Sequence, residues 1–311
     1  MALRVRTAQR RKRRYLVHAS LISVFAVVGV CKDNAGTPLD SIDPMDPVDP
    51  CLQAPADCEP SESVIDSFPV PLVDGGGLYG ERSNRPPEFH VEAGIRAGSQ
   101  VPLSGAVLAA IGMSNTSLEF GAFKKLASGS TDAVVATTAC WACTVAVWDT
   151  PSGRGWTKAN NWLASHGYAP EDVDVVWLKA TRQKDQSVTA DDLERILVVL
   201  RAKWPNTRQV FVSDRIYVGY LSAGAEPAGG WRAGPEVREF VLRHLGETEP
   251  WIGWGPYLWA NGEHARSDGI SWPQSDYQED MLHVNEAGAM KVADMLVEFL
   301  STTPEAVWFR R

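Results

Sequence analysis

From about position 106 onward, short apolar runs alternate with stretches whose apolar residues recur at helical spacing. The run 106–111 precedes a helical pattern near 115–126, 133–138 precedes one near 157–165, and 173–178 precedes one over about 190–203. Run 209–213 precedes a helical pattern near 235–244, and 251–258 reads as a last strand before a final helix over about 286–300. The 190–203 helix opens on a capping box, Thr189-x-x-Asp192, and carries the stripe Leu193, Ile196, Leu197 and Leu200. The final helix is expected to be N-capped by Asn285 and to turn Met290, Ala293, Leu296 and Leu300 inward. Strands alternating with helices imply an α/β fold: a parallel sheet, here of about five strands, covered on both faces. In such open sheets ligands bind beyond the carboxyl ends of the strands.

Upstream the pattern changes character. Residues 1–14 carry seven Arg or Lys and no acid, and 15–30 form a mostly apolar run. This reads as a secretion signal, short for a stable span, with a plain transmembrane anchor as the alternative. Val28-Gly29-Val30-Cys31 resembles the lipobox of bacterial lipoproteins, although Val30 departs from the small residue expected before the Cys. Cys31 is therefore a lipidation candidate, against simple cleavage or an uncleaved anchor, and any membrane attachment is expected through the N-terminus only. Residues 32–62 carry Asp43-Pro44, Asp46-Pro47 and Asp49-Pro50 with few large apolar residues, the composition of an extended tether. The folded domain is expected over 63–311.

Composition narrows the classes. Apolar residues are 44 % of the 311, enough for a sizeable core. The chain's formal charge is −8, and losing the seven positive charges of residues 1–30 leaves −15. Such a chain is a poor partner for nucleic acid or anionic headgroups. With Cys31 acylated, Cys51, Cys58, Cys140 and Cys143 remain as disulfide candidates, an even number that suits an extracytoplasmic compartment; the pairing stays open.

The chemistry gathers at two places. Asp280-Met281-Leu282-His283 lies directly before the final helix, and a carboxylate three residues before an imidazole can fix its tautomer and stabilise the imidazolium. Far upstream, Ile111-Gly112-Met113-Ser114-Asn115-Thr116 would set Ser114 on a strand-to-helix turn, near free backbone N–H groups. Ser114 is the candidate nucleophile, His283 the base and Asp280 the orienting acid. A serine at a helix start is otherwise an ordinary N-cap. Nearby Asp276 and Glu279 read as rim charges, either of which could replace Asp280. His90, His166 and His264 have no partner at a telling spacing.

Cys140-Trp141-Ala142-Cys143 follows a strand, where a thioredoxin-like redox pair would sit; a structural disulfide is the simpler expectation, and zinc lacks a second Cys pair or clustered His. The chain has 12 Trp against 7 Tyr and 9 Phe, which makes a sugar-stacking surface attractive. Trp177 belongs to the core, whereas Trp231, Trp254, Trp259 and Trp272 fall in loop-rich segments and are the stacking candidates.

The two blocks together resemble the SGNH (GDSL-type) serine hydrolases, which join a Gly-x-Ser block after the first strand to an Asp-x-x-His block before the last helix. The chain is most similar to a bacterial secreted subgroup with Gly-Met-Ser-Asn in the first block. Further likeness lies in Gly77-Leu78-Tyr79 with Ser83-Asn84, Val175-Val176-Trp177-Leu178-Lys179, Arg215-Ile216-Tyr217-x-Gly219-Tyr220 and Trp254-Gly255-Pro256-Tyr257-Leu258-Trp259, over about residues 75–311.

The resemblance implies a three-layer α/β/α, flavodoxin-like fold. It also implies hydrolysis of esters, often acyl groups on sugars or lipids, by Ser114, His283 and Asp280 without metal or organic cofactor. Two departures stand out. The second block has no Gly, so Trp141 or Ala142 would supply an oxyanion N–H beside that of Ser114. The third, Lys179-Ala180-Thr181-Arg182, has no Asn, leaving Thr181 or Arg182 as a substitute donor. Asn115, Lys179, Arg182, Trp254 and Trp259 are the substrate-binding candidates. Two other classes remain open: a catalytically degenerate carbohydrate-binding domain on the same scaffold, and a thiol–disulfide oxidoreductase using Cys140 and Cys143.

Overall fold

Five strands, β1 (Val107–Gly112), β2 (Val134–Ala136), β3 (Val173–Lys179), β4 (Gln209–Val212) and β5 (Trp251–Trp254), form one wholly parallel sheet in the order β2-β1-β3-β4-β5. The computed structural model describes residues 76–182, 187–220 and 232–310. The export segment, Cys31, the tether, Cys51, Cys58 and Trp231 lie outside them.

Side-chain alternation along each strand divides the core in two. Val107, Ala109 and Ile111 of β1 face one hydrophobic cluster, and Leu108 and Ala110 face the other. The first cluster is closed by α3 (Val145–Trp148), α4 (Arg154–Ser165), α5 (Ala190–Lys203) and α6 (Ala233–Arg243). The second is closed by α1 (Glu88–Gly98), α2 (Ser114–Ala127) and α7 (Glu286–Thr302). The result is a three-layer α/β/α fold in the flavodoxin-like strand order, whose topological switch lies beside β1.

The strand and helix positions follow the hydrophobic pattern closely, and the differences have local causes. The ladder of β2 stops at Ala136 because the Thr138 hydroxyl takes over, accepting from the Ala110 N–H at 3.0 Å and donating to the Ala110 carbonyl at 2.7 Å. Strand β5 stops at Trp254, just before Gly255-Pro256, where proline removes a backbone donor. Asn285 caps α7, its Oδ1 accepting from the N–H groups of Ala287 and Gly288 at 3.0 and 3.2 Å. Met290 is only partly buried, packed at the edge of the second cluster. Helices α1 and α3 were not foreseen. No helix among the described residues is long and apolar enough to cross a membrane.

Candidate functional site

The site sits at the carboxyl edge of the sheet, where β1 turns into α2. Gly112 makes that turn feasible: a Cβ there would lie 2.2 Å from Thr116 Oγ1 and 2.4 Å from the Lys179 carbonyl oxygen. Met113, not Ser114, occupies the N-cap position, and Ser114 is the first residue of α2. The serine hydroxyl therefore does not cap the helix.

Instead, Ser114 Oγ lies 2.8 Å from His283 Nε2. The other ring nitrogen, Nδ1, lies 2.5 Å from Asp280 Oδ2. Asp280 Oδ1 also accepts the backbone N–H groups of Leu282 and His283, at 3.1 and 2.9 Å. The carboxylate thus closes its own turn around Met281, held at φ 53° in the left-handed region. Partial burial works against the Asp280 charge, but the hydrogen bonds from the His283 ring and the two N–H groups outweigh it and hold the carboxyl below its ordinary value. Asp280 is thereby ionised at neutral pH.

Asn115 ties this turn to α2 across 167 residues of chain. Its Nδ2 donates to the Leu282 carbonyl at 2.9 Å and its Oδ1 accepts from the Val284 N–H at 3.1 Å, on either side of His283. Asn115 therefore holds the backbone on both sides of His283, and its amide is engaged there.

Trp141 lies on the opposite flank. The residue is 52 % exposed, and its ring stacks on the His283 imidazole, centroids 4.8 Å apart at 29°. The sulfurs of Cys140 and Cys143 are at disulfide distance, Ala142 is left-handed at φ 57°, and Arg154 Nη2 donates to the Ala142 carbonyl at 2.7 Å. This short bridged turn leaves the N–H groups of Trp141 and Ala142, like that of Ser114, without a backbone acceptor among the described residues. Thr181 lines the cleft beside Ser114, its hydroxyl directed at the Arg182 carbonyl at 3.3 Å.

Several expected substrate ligands are otherwise engaged. Lys179 is buried and paired at 2.5 Å with Glu119, itself fully buried. Arg182 grips Asp192 through two hydrogen bonds of 2.6 and 2.9 Å, staying at the start of α5. Trp254, Trp259 and Trp272 are buried in the core, with the indole N–H of Trp254 on Leu78 O and that of Trp272 on Leu258 O. Loop-rich sequence misled here: Trp254 ends strand β5, and the segments that hold Trp259 and Trp272 carry their indoles inward. Asp276 is not a rim charge either, since it is buried and ion-paired with Lys291; Glu279 is exposed. The exposed indole at the site is Trp141, which the sequence had suggested only as a backbone donor.

No group of three or more His, Cys, Asp or Glu among the described residues could hold a metal ion. No protein-family model matches the chain, and no curated protein matches it either.

Proposed function

We propose that the protein is a serine esterase of the SGNH type, hydrolysing a carboxylic ester, with an acyl group on carbohydrate as the substrate class. The observation that carries this is the continuous relay of Ser114 Oγ, His283 and Asp280, with contacts of 2.8 and 2.5 Å drawn from opposite ends of the chain. Exposed Trp141, stacked on His283, supports a sugar ring as neighbour. The basic start and apolar run of residues 1–30 support an exported protein, attached through its N-terminus or released.

In the mechanism, Ser114 Oγ attacks the ester carbonyl carbon while His283 Nε2 takes its proton. Asp280 holds the ring with Nε2 free to accept and stabilises the imidazolium that forms. The tetrahedral oxyanion is met by backbone N–H groups at the α2 N-terminus and in the 140–143 turn. The carbon–oxygen bond to the alcohol then breaks, His283 returns the proton to the leaving oxygen, and an acyl-serine remains. Water, deprotonated by His283, attacks that acyl carbon; the proton passes to Ser114 Oγ as the free acid leaves.

Loss of one oxyanion donor costs about 2.7–4 kcal/mol, roughly 10²–10³ in rate. The Asn missing after β3 therefore implies a slow enzyme rather than an inert one. That missing Asn and the missing Gly of the second block motivate the second reading, a sugar-binding domain with a vestigial triad. A redox role fits less well, because Cys143 is fully buried and Cys140 nearly so, which keeps an attacking thiolate out.

A fluorophosphonate probe decides between them. Wild type should label at one serine, and Ser114→Ala and His283→Ala should not; a folded wild type that never labels rules out the esterase. Asp280→Asn should lower kcat by roughly 10²–10³, less than the 10⁴ seen for a buried triad aspartate, because this carboxylate is half exposed to water.

A further inference from the structure

The cleft beside Ser114 contains a cation that the triad does not use. Arg215, just beyond β4, is 7 % exposed and lines this cleft together with Ser114, Asn115, Lys179 and Thr181. Its guanidinium makes no hydrogen bond among the described residues, although a guanidinium carries five donors. Burial lowers its pKa to about 10, so it remains charged at neutral pH.

The neighbouring carboxylates already accept hydrogen bonds from other groups. Glu119 accepts from Lys179 Nζ with both oxygens, each at 2.5 Å. Asp214 accepts the N–H groups of Leu258 and Trp259 at 2.6 and 3.2 Å. Arg215 thus feels the Glu119 charge without a hydrogen bond to it, and its fork keeps its donors unused in the cleft that Ser114 lines. A guanidinium whose donors have no protein acceptor is ready to take one from a ligand. A planar fork suits a planar two-oxygen anion, and the buried Glu119 carboxylate nearby disfavours a dianion such as phosphate.

We propose that this cleft is a subsite for a carboxylate carried by the ester substrate, with the Arg215 guanidinium as its ligand, an inference that rests on the hydrolase reading of Ser114. The carboxylate can belong to the acid limb, as in a hemiester of a dicarboxylic acid, or to the alcohol limb, as in an acylated hydroxy acid or uronic acid.

Two matched pairs of esters separate these sources. Mono-4-nitrophenyl adipate against 4-nitrophenyl hexanoate tests the acid limb, and 4-acetoxybenzoate against 4-acetoxybenzamide tests the alcohol limb. A charge-assisted hydrogen bond worth about 1.5–3 kcal/mol predicts a kcat/KM ratio of roughly 10 to 100 in favour of the anion in one pair. Arg215→Gln should bring that ratio close to one. Arg215→Lys, which keeps the buried charge but loses the fork, should leave an intermediate ratio. Ratios near one for both pairs in wild type overturn the proposal, as does a preference that survives Arg215→Gln.

Calorimetric titration of Ser114→Ala with 4-acetoxybenzoate, 4-acetoxybenzamide and adipate reads the subsite without turnover. Tighter binding of an acid than of the amide, abolished by adding Arg215→Gln, supports it even if fluorophosphonate labelling fails and the hydrolase reading falls. No difference between acids and amide overturns it.

Discussion

Asn115 shows at the scale of one side chain what the sequence could and could not disclose. The Asp280–His283 pair was legible because its partners are three residues apart, and Ser114 because a Gly-Met-Ser turn follows an apolar run. The function of Asn115 was not, because both its partners are backbone groups more than 160 residues away. The same blindness misassigned Lys179 and Arg182, whose neutralising carboxylates, Glu119 and Asp192, sit on α2 and α5. By pinning the backbone on both sides of His283, Asn115 fixes the imidazole against Ser114. Asn115→Ala should therefore lower kcat by roughly 10–100-fold, since small displacements of a catalytic group cost about that much. KM should move little, and the rate of fluorophosphonate labelling should fall in parallel. A rise in KM at constant kcat would show instead that Asn115 touches substrate.

Among the elements, the five strands and α5 were legible because continuous apolar runs and a capping box are strong local signals. Helix α1 was not: its buried positions include His90, Ala93, Gly94 and Ala97, too small and too polar to write a stripe, and two glycines weaken its propensity. Four-residue α3 is shorter than any period that sequence can show. The 140–143 turn is the element on which the site depends in a way spacing alone did not reveal. Its sulfur bridge, the Arg154 contact and the Trp148 Nε1 hydrogen bond to the Cys143 carbonyl at 3.0 Å together hold Trp141 over His283. A stacked indole blocks rotation of the ring. Trp141→Ala and the double variant Cys140→Ser/Cys143→Ser should each lower kcat several-fold, and combining them should lower it no further, because both remove the same contact. Additive losses would mean that the bridge acts on the oxyanion N–H groups and not through Trp141.

At the scale of the whole molecule, two buried titratable groups among the described residues, His90 and Asp214, respond to acid in opposite senses. His90 anchors α1: fully buried, it stacks on Trp251 at 4.9 Å, and its Nδ1 accepts the Gly246 N–H at 3.1 Å. Burial pushes its imidazole from 6.5 down to about 4. The folded state therefore prefers neutral His90, and the stability this confers is present above pH 6.5 and is lost as pH falls toward 4. Asp214, under the active-site edge, has the opposite sign. Burial, only partly offset by the Leu258 and Trp259 N–H groups, raises its carboxyl from 3.8 to about 7. The folded state holds the proton while the unfolded chain gives it up, so Asp214 costs stability as pH rises from about 4 to 7 and relieves that cost in acid. The two shifts span nearly the same window and oppose each other, so their contributions to the pH dependence of the melting temperature offset there. Single variants should tilt it in opposite directions. His90→Phe keeps the stack on Trp251 and removes the titration, so its melting temperature relative to wild type should rise by several degrees from pH 6.5 to pH 4. Asp214→Asn leaves His90 unopposed, so its relative melting temperature should fall over the same interval. Parallel curves for the three proteins would show that neither group titrates differently on folding, and that acid stability is set by the exposed carboxylates instead.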